Sequence, residues 1–151
     1  MLDTSALPEG WLGGDPRTKS APVRWGVDRL GVTFLSESAP GVTLQVVHRG
    51  RDYKHTSDGY FELASSWFNT DTNNTDWYLP LEFPYENSIA DRYRFECATV
   101  KHNGAEICQF VGQYGVFITR FRTVISLSMT YDDLEYILQT IDTKMTKCLD
   151  S

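Results

Sequence analysis

The chain has 151 residues, with 14 Lys and Arg against 20 Asp and Glu, a formal net charge of −6 and an isoelectric point near 5.0. That balance argues against nucleic acid as a partner and against a polybasic membrane anchor, since both require a basic surface. The length suits one domain, the hydrophobic (41%) and charged (23%) fractions are ordinary for a globular chain, and no apolar run approaches the roughly 20 residues of a membrane span.

Residues 1–22 are rich in Gly, Pro and Ser. Leu7-Pro8-Glu9-Gly10-Trp11 and Gly13-Gly14-Asp15-Pro16 cannot sustain a helix or a long strand, so an extended N-terminal arm is expected over 1–22, leading into a single α+β domain over 23–151. Trp11 is expected to tuck the arm onto the body. No export signal is visible after Met1-Leu2-Asp3. Two readings follow: a cytoplasmic protein, or a mature fragment of an exported one whose signal or lipid-anchor segment is absent.

Val23, Trp25 and Val27 alternate ahead of a strand over 31–35, a turn over 37–41 and a partner strand over 42–49, with Val42, Leu44 and Val46 on one face. Residues 50–59 read as a polar loop. In 58–68, Tyr60, Leu63, Ala64 and Trp67 sit at helical spacing, so a short helix capped by Ser57 or Asp58 is preferred to a strand. The run 69–76 is a polar loop, 77–84 is extended because Pro80 and Pro84 forbid a central strand, and 85–91 connects with at most one helical turn.

The stretch 92–149 organises the chain. Tyr93, Phe95, Cys97 and Thr99 alternate with Arg94, Glu96 and Ala98 in a strand; Asn103-Gly104 marks a reversal; residues 105–111 return. A four-residue loop over 101–104 sets Cys97 opposite Cys108 and Phe95 opposite Phe110, whereas a two-residue turn at Asn103-Gly104 sets Cys97 opposite Phe110. The first register is preferred because it pairs like with like on one face. It makes a Cys97–Cys108 disulfide plausible; two buried thiols in a reducing cytoplasm are the alternative, and Cys148 is left over in either case. A third strand follows over 116–125, with Phe117, Thr119, Phe121 and Thr123 on one face and Arg120 and Arg122 marking a wetter one. Thr130 and Asp133 form a capping-box pattern ahead of a helix whose stripe is Leu134, Ile137, Leu138, Ile141, Met145 and Leu149. The expected fold class is therefore α+β, an antiparallel sheet with a C-terminal amphipathic helix packed on one face.

Chemistry-bearing signals are sparse. Asp71, Asn73 and Asp76 supply the oxygen-rich spacing that calcium favours, but the loop lacks the glycine and distal glutamate of an EF-hand, and a solvated turn built from Asx motifs is the preferred reading of the same residues. Asn73-Asn74-Thr75 is a formal glycosylation sequon. Trp77, Tyr78, Phe83 and Tyr85 make an aromatic stretch that, exposed, would bind a sugar, lipid or partner segment by stacking, and otherwise would seal one end of the core. His48, His55 and His102 are scattered, and no nucleophile elbow, zinc-protease, Walker or dinucleotide motif is present, so no catalytic residue and no cofactor are expected.

The order of these elements (the arm around Leu7-Pro8-Glu9-Gly10-Trp11, an early hairpin, the meander and the terminal helix) resembles the α+β sandwich of the PsbP and Mog1-like proteins. The insertion over 50–91 departs from that pattern. The runs CQFVGQYGVFITRF (108–121) and TYDDLEYILQTIDTKM (130–145) are similar to uncharacterised exported or lipid-anchored bacterial proteins. The resemblance implies an accessory role at a membrane surface without known catalysis. Three functions are carried forward: an exported periplasmic or lipid-anchored accessory domain contacting a protein or small ligand, a cytoplasmic interaction module of the immunity or chaperone kind, and an enzyme using the 50–85 region through His55 and a carboxylate.

Overall fold

One antiparallel sheet carries a helix on each face in the computed structural model, which describes residues 1–13, 15–18, 24–36 and 41–151. The elements run β1 (Trp11–Gly13), β2 (Arg17–Thr18), β3 (Gly26–Ser36), β4 (Val42–Gly50), α1 (Tyr53–Trp67), β5 (Arg92–Thr99), β6 (Glu106–Tyr114), β7 (Phe117–Ile125) and α2 (Tyr131–Leu149). The seven strands lie in the order β1-β3-β4-β7-β6-β5, with β2 also paired to β3. The α+β class with a C-terminal helix on the sheet is as expected.

The β5–β6 hairpin adopts the four-residue-loop register. Cys97 faces Cys108 and Phe95 faces Phe110, and the Val100 amide donates to the Ala105 carbonyl. Gly104 closes the loop with φ +70°, a conformation that a Cβ would strain. The backbone of Cys97 exchanges both hydrogen bonds with Tyr78 on its other side, at 2.8 Å each. Cys97 and Cys108 are therefore a narrow, non-hydrogen-bonded pair, 4.1 Å apart at Cα, and the disulfide closes across it. The bridge at Tyr78 covers the outer edge of β5, but the expected extended run 77–84 is broken by a turn at Leu81-Glu82, where the Phe83 amide donates to the Pro80 carbonyl at 3.2 Å.

Register assigns every side chain to a face. On one face Phe95, Phe110 and Phe121 line up across three strands, followed by Gln45 and Val32. This face is covered by α2, whose Leu134, Ile137, Leu138, Ile141 and Met145 are at most 2% exposed. Such side chains contribute about 1.5–3 kcal/mol each on burial. Leu149 departs from the expected stripe: it lies in the last turn and is 48% exposed. The capping box between Thr130 and Asp133 is formed in full. The N-terminal residues complete this core. Leu2, Ala6, Leu7 and Trp11 are buried in it, and the Trp11 indole donates to the Ser128 carbonyl at 2.8 Å.

Three further expectations are corrected, and the form of the 85–91 connection is settled. Helix α1 begins at Tyr53 rather than after Ser57 or Asp58, because Asp52 caps it by accepting from the His55 amide at 2.9 Å. Gly59, which gave 50–59 its loop-like look, is a packing residue: a Cβ there would meet the Trp25 ring at 2.2 Å. Trp25 and Val27 do not share a face, because a bulge between Gly26 and Asp28 buries the first and leaves the second 52% exposed. Residues 85–91 hold no helical turn; the Asn87 side chain instead accepts from the Ile89 and Ala90 amides, both at 2.8 Å. Val23 and most of the expected 37–41 turn lie outside the described residues.

Titrating the denatured, unreduced protein should find one reactive thiol per chain, that of Cys148; three would contradict the bridge. The double variant Cys97→Ala, Cys108→Ala should lose about 2–3 kcal/mol in denaturant unfolding, the cost of reopening a short loop.

Candidate functional site

The second face of the sheet is the chemically varied one. Pairing aligns its residues in rows across five strands: Glu96, Gln109, Arg122, Leu44 and Thr33; then Arg94, Val111, Arg120, Val46 and Gly31; then Arg92, Gln113, Ile118, His48 and Arg29. Polar residues at this density read as a solvated face, and Arg120 and Arg122 were expected to mark it as at least partly wet; both stay part-exposed. Helix α1 covers much of it nonetheless. Its apolar residues Tyr60, Leu63 and Ala64 pack with Trp25, Val111 and Ile118. Its aromatic residues lie on the guanidinium groups: Arg92 over Phe61 at 5.1 Å, Arg94 over Phe68 just beyond the helix at 4.4 Å, and Arg120 over Trp67 at 4.6 Å. Arginine is weakly hydrated and planar, so it can be half-buried against a ring where lysine would not be.

Where α1 ends, this face opens into a cleft of about 800 Å³ between the loop after the helix and the β6–β7 side of the sheet. That volume lies within the roughly 300–1,000 Å³ of small-molecule sites. Trp67 and Trp77 contribute apolar walls, Asp71 and Asn73 a polar rim, and Gln109 and Arg122 line it from the sheet. Trp77 packs edge-on against Phe68 at 5.2 Å, and its indole donates to the Asn69 carbonyl at 3.2 Å. Gln109 is 3% exposed, and its side-chain oxygen has no hydrogen-bond partner among the described residues. An unsatisfied buried acceptor costs about 1–3 kcal/mol, and beside a cleft it is a standing demand for a donor. Burial lowers the Arg122 pKa, partly offset by the Asp71 carboxylate.

The residues singled out from the sequence divide among four places. Trp77, Asp71 and Asn73 border the cleft. Asp71 accepts from the Asn73 amide at 2.7 Å, and Asp76 accepts from the Thr70 hydroxyl at 3.2 Å. Among the described residues no group of three or more His, Cys, Asp and Glu side chains is placed to hold a metal. Tyr78 is bound to Cys97 through the backbone and donates its hydroxyl to Glu106, which also accepts from Tyr131. Phe83 and Tyr85 stack on each other at 5.7 Å, and Phe83 stacks on Tyr131 at 5.4 Å. They border a separate acidic groove of about 520 Å³ with Glu135 and Asp142. There, burial and the neighbouring Asp142 push the Tyr85 and Tyr114 hydroxyls above the usual tyrosine range. His55 pairs with Asp52 at 2.7 Å at the exposed N-terminus of α1, outside both clefts.

Sequence reasoning missed Trp67, Gln109, Arg120, Arg122 and His48 as a group. His48 sits inside β4, 1% exposed, with its ring 5.3 Å from Trp25 and neither nitrogen hydrogen-bonded among the described residues. The only signal was the alternation of Arg120 and Arg122 on β7, which marks a face but not its cover.

No protein-family model matches the chain, and no curated protein is similar to it in sequence. One solved structure is similar in fold. It is the extracellular domain of PknH from Mycobacterium tuberculosis, with a TM-score of 0.61 over 92% of this chain and 86% of that one, at 12% identity. No helix among the described residues is long and apolar enough to cross a membrane. The shared fold joins an α+β sheet known from an extracellular domain to a chain that carries its own cross-strand disulfide.

Burial, then the Arg120 and Arg29 charges, hold His48 from its ordinary 6.5 down to about 3. Between those values the unfolded chain binds a proton that the folded one refuses. This contribution to stability is complete above about pH 6.5 and is lost as the pH falls. Denaturant melts from pH 6.5 to 4.5 should lose up to about 1.4 kcal/mol per pH unit. His48→Phe should flatten that slope; equal slopes in the two proteins would contradict it.

Proposed function

We propose that the chain is a non-catalytic, extracytoplasmic binding domain that takes a polar, saccharide-like ligand in the cleft between Trp67 and Trp77. The observation that carries this reading is the cleft's composition. Two indoles offer flat apolar faces for a sugar ring, while Gln109, Asp71, Asn73 and Arg122 offer acceptors and donors for its hydroxyls. The unpaired Gln109 oxygen is the sharpest of these, because a ligand hydroxyl would satisfy it.

Two further facts support the setting. A disulfide between strand neighbours persists in an oxidising compartment and is rare in a reducing cytoplasm. A solved structure that shares the fold is an extracellular domain. Both favour the exported reading over the cytoplasmic interaction module, and a periplasmic or lipid-anchored position at a membrane surface follows as part of the proposal. The enzyme reading draws less support, because Asp52, the partner of His55, is already used as the cap of α1.

The test is titration of the protein with a panel of neutral oligosaccharides, chitotriose, maltotriose and mannotriose, at millimolar concentration, followed by tryptophan fluorescence and amide chemical shifts. Binding by at least one, with shifts centred on Trp67, Trp77 and Gln109, is expected, and Trp77→Ala should weaken it about three- to tenfold. No binding by any of the three, or shifts centred elsewhere, would overturn the reading.

A further inference from the structure

Across Trp67 from the large cleft lies a smaller pocket of about 180 Å³, floored by Gly31, Thr33, Leu44 and Val46 and walled by Trp67 and Arg120. It is too small for a whole ligand and large enough for one functional group. We propose that it is an anion subsite, in which Arg120, backed by Arg29, receives the carboxylate or phosphate of an acidic saccharide whose body lies in the Trp67–Trp77 cleft.

Charge makes the first argument. The chain carries six more acidic than basic residues, yet no carboxylate lies within 4 Å of Arg29, Arg120 or Arg122 among the described residues. Where arginines elsewhere in the fold find acids, as Arg49 finds Asp28 at 2.6 Å and Arg94 finds Glu96 at 3.0 Å, Arg29 and Arg120 do not, and Arg122 has only the charge of Asp71 beyond contact distance. Half-buried cations without a counter-charge are costly, and they are kept more cheaply when an anion visits.

Unmet hydrogen bonds make the second. The Nε groups of Arg29 and Arg120, the Trp25 indole N–H and both His48 ring nitrogens are buried without a partner among the described residues. Register makes Arg29 and His48 direct cross-strand partners, and Arg120 lies one row along the same face. Such a concentration of unsatisfied nitrogen, beside a pocket that Arg120 lines, contrasts with a protein in which buried polar groups are generally paired. A planar guanidinium held 4.6 Å over the Trp67 ring centre also carries the fork that grips an oxyanion in two-pronged fashion.

Gly31 supplies the room. On the row Arg94, Val111, Arg120, Val46 and Gly31 it contributes no side chain, so the floor beyond Arg120 stays open toward β3. Trp67 lines both cavities, and Arg122 in the large cleft follows Arg120 by two residues on the same strand face. A ligand stacked on Trp67 would reach both arginines. The inference rests on the cleft reading for the ligand's body, but the anion site stands on its own observations.

The experiment separates the two. Inorganic phosphate, acetate, glucuronate and a glucuronate-bearing trisaccharide are titrated beside its neutral counterpart, with amide, indole and Arg Nε–H resonances as readout. Shifts at Arg120 and Trp67 from the anions, and acidic trisaccharide binding at least about tenfold tighter than the neutral one and weakening with salt, are expected. Preference for phosphate over acetate and glucuronate would name the anion as a phosphate ester, and the reverse as a carboxylate. Arg120→Gln should bring the acidic and neutral trisaccharides to within about twofold of each other, and a tenfold preference that survives it would overturn the anion site. Arg120→Lys, which keeps the charge but loses the planar fork, should retain only part of the preference. Neutral binding without any anion-induced shift at Arg120 would overturn the anion site alone, whereas anion shifts without saccharide binding would sustain it and overturn the cleft reading.

Discussion

The pairing of Cys97 with Cys108 fixes more than a covalent link. Because side chains alternate along a strand, a slip of one residue between β5 and β6 would send Phe95 to the face of the sheet opposite Phe110 and Phe121. The bridge forbids that slip, and the hydrogen bonds from Cys97 to Tyr78 on the far side hold the outer strand at its edge. The dry layer under α2 and the polar layer under α1 both inherit their composition from this alignment.

The two layers obey different physics. Under α2, five buried aliphatic and methionine side chains meet a row of phenylalanines, and the gain is apolar burial. Under α1, the sheet offers arginine, glutamine and histidine, and the helix answers with Phe61, Trp67 and, just past its end, Phe68. Stacking lets Arg120 lose water without a carboxylate in contact, but nitrogen atoms stay unsatisfied around it and His48. Stability is given up on this face, and such local concessions gather where a protein binds something.

The dry layer was legible because its signals are periodic and local. The capping box at Thr130, the spacing from Leu134 to Met145 and the like-with-like pairing of Cys97 and Phe95 each point to one structure. The polar layer was not. Arg120 and Arg122 alternate as solvent-facing residues do, and nothing near them in sequence says that Trp67, more than 50 positions earlier, lies over one of them. Gly59 misled for a related reason: a glycine set by the distant Trp25 ring looks locally like a loop residue and hid the first turns of α1. Trp77 could be picked out by its aromatic neighbourhood, whereas Gln109 becomes visible only once its empty acceptor is seen beside a cleft.

The account depends most on α2 and the β5–β6–β7 layer forming one cooperative unit. Native-state hydrogen exchange measures this directly, since amides that open only with the whole fold share one free energy. The β6 amides of Ile107, Gln109 and Val111 and the α2 amides of Ile137, Leu138 and Ile141 should agree to within about 1 kcal/mol and match global unfolding. Helix amides that exchange several kcal/mol below those of the strand would show that α2 rests loosely on the sheet, and the proposed division into a dry face and a binding face would fail.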